Sequence, residues 1–569
     1  MKSHQRRVCS FISHVSQSTS SIGLSLILMS GFVQAQHNSE MQHQLGNAVT
    51  PPITALSGLP DAPPCFKLTQ FTLAVPEELT QSIKLVGTSQ LPNDPFRFAQ
   101  DYLEKYHGVC VGISGINLIA AQLTGLILQR GYSTTRVGIP EQDLSSGLLK
   151  VTLVPGLIHS IRVKDITQLD SHPIGLNAFP AKPSQLLNLR DLEQGVEQLK
   201  RVPGRQVDMQ IIPSDAVGES DVVLTVTQTR PWRLTATLDD SGAKRTGKLQ
   251  AGLNLSIDNP LGLSDVLNIG IQQNAENQLG QSSTAGNSLS YSLPFGYWTY
   301  SLSANKYDYS HHIAGVNQSL VSSGTSSTLQ LKLDRLVQRD QSQRNSVQVS
   351  LGKRWSHAFI NDAELAIQQR NTTFVELGWV HKHYIGRAQL DLTLANRWGN
   401  TAFNGMDNPG WYQPGDPTFL YTMQSIDATL AAPVTLRSHP ATYIATLRGQ
   451  TSKSPLYIND HFSMGDRNSV RGFDGERPLT AERGFFLRNE IELPVGKQGT
   501  SMYVGLDIGK VYGPSVAQYG GDKLAGTIIG MRGAYKRGTY HFFSSWALSG
   551  PDYMKSPSPL LGFNFSYQY

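Results

Sequence analysis

The sequence predicts a mainly β protein, a 16-stranded transmembrane β-barrel preceded by two small α/β modules. Three observations predict it. Beyond residue 35 no apolar run reaches the roughly 18 continuous residues that a membrane helix needs. A membrane span must then be a closed barrel, the other structure that satisfies every backbone amide in lipid. From Pro231 to Tyr569 the chain breaks into segments of about 8 to 15 residues with period-two alternation. Between Cys65 and Arg230 a β-α-α-β-β order occurs and then recurs.

The first segment, Met1 to Ala35, carries Lys2, Arg6 and Arg7 with no acid, an apolar stretch from Ile22 to Val33, and the small-residue site Val33-Gln34-Ala35. It reads as a secretory signal cleaved after Ala35. Ser25, Ser30 and Gly31 interrupt the run and argue against a membrane anchor. Three of the formal +5 charges leave with the signal, so the remainder is near neutral, which argues against a nucleic-acid partner. Cys9 leaves too. Cys65 and Cys110 remain as one even pair in an exported protein, which favours a single disulfide over a metal site or catalysis, with two free buried thiols as the alternative. Residues 36–64 are polar, with a short helix around Glu40 to Leu45 and a Pro-rich linker from Pro51 to Pro64.

In the first module Phe66 to Val75 reads as a strand, and Pro95 to Tyr106 and Ser114 to Arg130 as helices. Ile116, Ile119, Leu123, Leu126 and Ile127 follow a 3.6-residue period, and Gly131 is a left-handed stop. Tyr132 to Ile139 and Leu148 to Val154 complete the module as strands. In the second, Ile158 to Val163 is a strand and Asn188 caps a helix whose Leu189, Leu192, Val196 and Leu199 share one face. Strands Val207 to Ile212 and Val222 to Thr227 follow.

Sixteen barrel strands are expected to begin near Trp232, Thr246, Ser264, Asn287, Trp298, Ser326, Asn345, Thr372, Arg387, Leu420, Ala441, Gly484, Ser501, Lys523, Thr539 and Pro559. The last shows the pattern best, with Leu561, Phe563, Phe565, Tyr567 and Tyr569 on one face and Gly562, Asn564, Ser566 and Gln568 on the other. Tight turns such as Asn259-Pro260-Leu261-Gly262 alternate with long connections such as Thr451 to Arg483. Short turns belong on the periplasmic side, and an even strand count returns both ends there.

On the thirteenth strand Met502, Val504, Leu506 and Ile508 form an apolar face, so Tyr503, Gly505, Asp507 and Gly509 point into the lumen. A lumen charge needs a partner. The sixth long loop carries Ser469-Val470-Arg471-Gly472-Phe473, and a planar guanidinium can grip a carboxylate with two hydrogen bonds. On the twelfth strand Phe486, Arg488, Glu490 and Glu492 share the inner face, with two readings open: an extension of the polar lumen network, or, favoured for each residue by itself, solvated barrel wall.

Pro140-Glu141-Gln142-Asp143-Leu144-Ser145-Ser146-Gly147, Leu187-Asn188-Leu189-Arg190-Asp191-Leu192-Glu193-Gln194-Gly195, Asp258-Asn259-Pro260-Leu261-Gly262-Leu263, Pro64-Cys65-Phe66 and Arg471-Gly472-Phe473 stand in order along the chain. Together they resemble the haemolysin and filamentous-haemagglutinin transporters of two-partner secretion, outer-membrane barrels with periplasmic POTRA domains. The resemblance implies POTRA domains at 65–154 and 155–230, and a barrel at 231–569 whose loop 452–483 folds inward. It assigns Arg471, with Gly472 and Phe473, to a lock on Asp507 beside Gly509. It implies capture of the client at an edge groove of the first module, for which Tyr132, Thr134 and Arg136 are the candidates. The partner implied is a large secreted exoprotein with an N-terminal secretion domain, a haemolysin, adhesin or contact-dependent toxin. The barrel would be monomeric in outer-membrane lipid and use no nucleotide or cofactor. Family members often begin with a helix that plugs the barrel, and the segment before Pro64 leaves room only for a short one. The final residue is Tyr569 where phenylalanine is commoner.

An outer-membrane protein insertase is the alternative, though insertases usually carry more periplasmic modules. A passive porin would need neither two modules nor an inward loop. His-Glu-x-x-His, Gly-x-Ser-x-Gly, P-loop and Gly-x-Gly-x-x-Gly motifs are absent, so no enzyme is expected. His381 and His383 read as lumen or rim residues rather than metal ligands, and His311-His312 as a loop pair.

Overall fold

The computed structural model describes residues 64–75, 95–165, 174–276, 282–314, 319–496, 499–554 and 558–569. The expected signal, plug helix and nearly all of the Pro-rich linker lie outside the described residues. One compact unit ends at Thr229 and another runs from Arg230 to Tyr569.

The expected first strand divides in two. Phe66–Lys67 pairs antiparallel with Cys110–Val111, where Cys65 and Cys110 form a disulfide. Gln70–Ala74 pairs in parallel with Leu148–Val154, which pairs antiparallel with Arg136–Gly138. Helices Arg97–Glu104 and Ile113–Gln129 bury Ala99, Leu103, Ile116, Ile119, Leu123 and Ile127 against Leu149, Val151 and Leu153 of this sheet.

The strand expected at Tyr132 to Ile139 shrinks to Arg136–Gly138. The helix before it ends in a Schellman motif, in which Gly131 (φ 94°) donates to the Leu128 carbonyl at 2.9 Å and Tyr132 to that of Ile127 at 3.2 Å. Tyr132 is thereby committed to closing the helix, and the strand can begin only after the chain has turned.

The Pro-Glu-Gln-Asp-Leu string has a structural task. Gln142 Nε2 donates to the Lys150 carbonyl at 2.8 Å, while its Oε1 accepts the Lys150 N–H at 2.7 Å. The side chain thus extends the short edge strand. Asp143 then caps the 3₁₀ turn Leu144–Ser146 by accepting the Ser145 N–H at 2.9 Å.

The second module repeats the sheet order, with Leu157–Asp165 parallel to the central Glu219–Gln228 and Arg205–Pro213 antiparallel on its other side. Among the described residues it has one α-helix, Leu189–Lys200, preceded by a 3₁₀ turn at Leu176–Ala178. Asn188 caps that helix, its Oδ1 accepting the Arg190 N–H at 2.9 Å. The same residue joins the modules, since its Nδ2 donates to the Arg130 carbonyl at 3.2 Å and the next N–H, of Leu189, donates to Gly131 at 2.7 Å.

From Trp232 the chain forms a closed antiparallel barrel of 16 strands. A further two-residue piece, Ala363–Glu364, pairs with the end of the seventh strand, Gln343–Ile360. The strands that position the site are the first (Trp232–Asp239), twelfth (Arg483–Val495), thirteenth (Thr500–Tyr512), fourteenth (Lys523–Tyr535), fifteenth (Gly538–Ser549) and sixteenth (Leu560–Gln568). Met502, Val504, Leu506 and Ile508 are exposed on the outer face, while Tyr503, Gly505, Asp507 and Gly509 are buried inside. In the first tight turn Asn259 (φ 57°) accepts the Ser264 N–H at 2.7 Å, and buried Asp265 accepts from Leu263 N–H at 3.2 Å and the Tyr291 hydroxyl at 2.9 Å.

Candidate functional site

The loop between the eleventh and twelfth strands builds its own small framework. Phe462–Met464 pairs with Leu479–Ala481, and between them the chain knots around Asp466. Asp466 Oδ1 accepts the N–H groups of Asn468 and Ser469 and the Ser469 hydroxyl, each at 2.8 Å. Ser469 Oγ in turn accepts the Gly465 N–H at 2.9 Å. Because its backbone is tied to itself, the loop can present Arg471 in one orientation.

Arg471 is 2 % exposed and Asp507 0 %. Nε and Nη2 of the guanidinium reach the two Asp507 oxygens at 2.6 Å each, and the Arg471 N–H donates to Oδ2 at 3.0 Å. Two side-chain bonds hold the fork in plane and the backbone bond fixes the loop itself. Nη1 turns to Glu490 on the twelfth strand. Glu490 also accepts from Arg488 at 3.1 Å and Arg532 at 3.3 Å, and Arg532 continues to Glu492. The expectation of solvated wall at Arg488, Glu490 and Glu492 is therefore corrected. All three are buried, and a carboxylate buried among arginines must pair because the desolvation cost of leaving it alone is several kcal/mol.

Glycines make the approach possible. Gly472 has φ 103°, and a Cβ there would run into the Trp546 carbonyl of the fifteenth strand. A Cβ on Gly526 would meet the Arg471 carbonyl, and one on Gly509 would meet Met464 Sδ at 2.5 Å and Val470 at 3.0 Å. Phe473 is buried with Phe462, Met464, Val470, Phe486 and Leu524. The lock residues Arg471, Gly472, Phe473, Asp507 and Gly509 thus meet in one place. The knot at Asp466 and the bond from Arg471 to Glu490 go beyond the sequence reading, which offered Glu490 only as a member of a polar lumen network. The spacing Asp466 to Ser469 is a usable local signal for the first, whereas Arg488, two residues from Glu490, is a local partner that does not point to the loop arginine.

The candidates in the first module are dispersed. The Tyr132 ring packs 4.8 Å from that of Phe96, and Thr134 turns inward, its hydroxyl buried where a Cβ on Gly156 would collide with it. Arg136 is exposed on the short edge strand, its Nη1 donating to the Ser133 carbonyl at 3.1 Å. The three do not line one groove, because the turn at 132–135 removes the alternation that would have aligned them. His381 shares the outward face of its strand with exposed Leu377 and Trp379, stacks on Trp379 at 5.2 Å and meets Asn345 Oδ1 at 2.8 Å. His311 and His312 lie in the strand Trp298–Ala314 rather than in a loop.

Known proteins share this arrangement. Residues 218–533 match the family described as haemolysin secretion/activation protein ShlB/FhaC/HecB, 79–156 a POTRA domain of ShlB type, and 158–213 a further POTRA domain. An outer membrane transporter CdiB-2 of Burkholderia pseudomallei is 40% identical over 515 residues, 90% of this chain and 88% of the relative. The hemolysin transporter protein ShlB of Serratia marcescens is 27% identical over 466 residues, 81% of each chain. The solved structure of CdiB from Acinetobacter baumannii superposes with a TM-score of 0.80 at 27% identity, covering 95% of this chain and 98% of that one. With two POTRA domains ahead of a 16-stranded barrel, the chain belongs to the ShlB/FhaC family of outer-membrane transporters of two-partner secretion, its POTRA domains in the periplasm.

Proposed function

We propose that this transporter captures an unfolded exoprotein through its periplasmic modules and passes it outward through the barrel, with the sixth loop docked in the lumen between transport events. The observation that carries the reading is the loop arginine held by a lumen carboxylate through three hydrogen bonds. A loop so placed must move or be bypassed before a polypeptide can use the lumen. The exposed edge strand Arg136–Gly138, hydrogen-bonded on one side to Leu148–Val154, supports recognition by strand addition, with Arg136 the most exposed of the three candidates. The client would be a large exoprotein with an N-terminal secretion domain, a haemolysin, adhesin or contact-dependent toxin. Folding of the client outside would bias its movement, with no nucleotide, cofactor or enzymatic step and one chain per barrel. The test is secretion, by a host expressing this chain, of the large exoprotein encoded in the adjacent reading frame. Client in the medium supports the reading, and client retained in the periplasm beside a folded barrel overturns it.

A further inference from the structure

The barrel closes through a short seam. The first and sixteenth strands share five register pairs, from Asp239↔Asn564 to Thr235↔Gln568. The first and second strands share eight, as do the fifteenth and sixteenth. Past Asn564 the first strand has ended, and among the described residues Leu560 to Phe563 have ladder partners only on the fifteenth strand. At that point a side chain takes over. Asp240 Oδ1 accepts the Phe563 N–H at 3.0 Å, as a further rung of the ladder would.

The same carboxylate also holds the sixth loop. Arg467 Nη2 donates to Asp240 Oδ1 at 2.8 Å and to the Asp240 carbonyl at 2.6 Å, and its guanidinium lies 5.5 Å from the Phe543 ring of the fifteenth strand. Asp240 is 7 % exposed, and its other cation, Lys248 at 3.3 Å, is about half exposed. Arg467 stands four residues before Arg471, inside the knot around Asp466. A displacement of Arg471 must therefore carry Arg467 with it.

We infer that Arg467 is a positioning residue that latches the sixth loop to the barrel seam through Asp240, so that undocking the loop loosens the outer end of the seam between the first and sixteenth strands. One carboxylate serves both the Phe563 N–H and the loop guanidinium. If the guanidinium leaves, the buried carboxylate turns toward Lys248 and solvent and the rung at Phe563 weakens. The nearby pairs Lys244–Asp474 at 3.4 Å and Arg245–Glu476 at 3.6 Å have more than half-exposed cations and contribute little to this coupling.

The inference rests on the loop being the resting lock of the proposed transporter, and its test uses no client. Hydrogen exchange is measured on the full chain in lipid nanodiscs for Arg467→Gln, Arg467→Lys, Arg471→Ala and Lys244→Ala, with heat-modifiable migration confirming a folded barrel. Peptides covering Leu560 to Phe563 should exchange several-fold faster in Arg467→Gln. They should do so in Arg471→Ala as well, although that residue is bonded to the twelfth and thirteenth strands and not to the seam. Arg467→Lys should recover most of the protection and Lys244→Ala should leave it unchanged. Unchanged exchange at 560–563 in either Arg467→Gln or Arg471→Ala overturns the latch, as does equal loosening in Lys244→Ala. If Arg467→Gln yields no folded barrel, the comparison of Arg471→Ala with Lys244→Ala decides. Failed secretion would leave this result standing, and a failed latch would leave the transport reading standing.

Discussion

At the scale of single residues the lumen pair sets the energetics. Arg471 and Asp507 are both buried, so removing one strands the other at a cost of about 3 to 5 kcal/mol. Arg471→Ala and Asp507→Ala should leave the barrel inserted but lower secreted client per folded barrel and change channel conductance. The double mutant should lose little more than either single one, and purely additive losses would show that the two do not act as a pair. Arg471→Lys should rescue only in part, because an ammonium cannot span both Asp507 oxygens and Glu490. Gly472→Ala tests the backbone rather than the charge. With φ at 103° and the Trp546 carbonyl in the way of a Cβ, the loop should undock although both members of the pair remain, and the conductance change should match that of Arg471→Ala.

At the scale of elements, what was legible in the sequence followed the local rules that govern strands and caps. Alternation along Met502 to Ile508 located Asp507 in the lumen, because successive strand residues must face opposite ways. The cap at Asn188 was legible because the backbone demands an acceptor at a helix start. The strand expected from Tyr132 begins later because a Schellman closure extends one residue past its glycine, to Tyr132 itself, and an aromatic followed by Ser133, Thr134 and Thr135 looks like strand by local propensity. Glu490 and Asp240 were illegible for another reason. The loop arginines that reach them lie 19 and 227 residues away, and although Arg488 stands two residues from Glu490, nothing in that local pair points to the loop. The junction between the modules allows an element-scale prediction. Asn188→Ala removes the cap, worth about 1 kcal/mol, together with the bond to the Arg130 carbonyl. Limited proteolysis of the full chain should then cut between the modules faster than in the parent protein, and an unchanged rate would mean that the junction is held elsewhere. Breaking the bridge between Cys65 and Cys110 should loosen the first module more, since a 45-residue separation corresponds to about 4 kcal/mol of chain entropy. Comparing protection of 64–154 with and without reductant checks this, and equal protection would show that the packed core alone suffices.

At the scale of the whole molecule the two units obey different physics, and that difference sets the last prediction. The modules are small water-facing domains with apolar cores of their own, gathered around Leu123 and Leu149 in one and around Leu192 and Leu224 in the other. The barrel turns its apolar side outward to lipid and gathers its charges inside. Its closure runs from the first strand at Trp232 to the sixteenth ending at Gln568, and every strand of that circuit lies after the modules. Deleting Cys65 to Val154 should therefore leave the barrel able to close and insert, recognisable by heat-modifiable migration. If the first module recognises the client, the same deletion should abolish secretion, with the client accumulating in the periplasm. Continued secretion from the shortened chain would move recognition to the second module or the barrel. Loss of the barrel itself would show that the modules are needed for assembly, which the separate cores argue against.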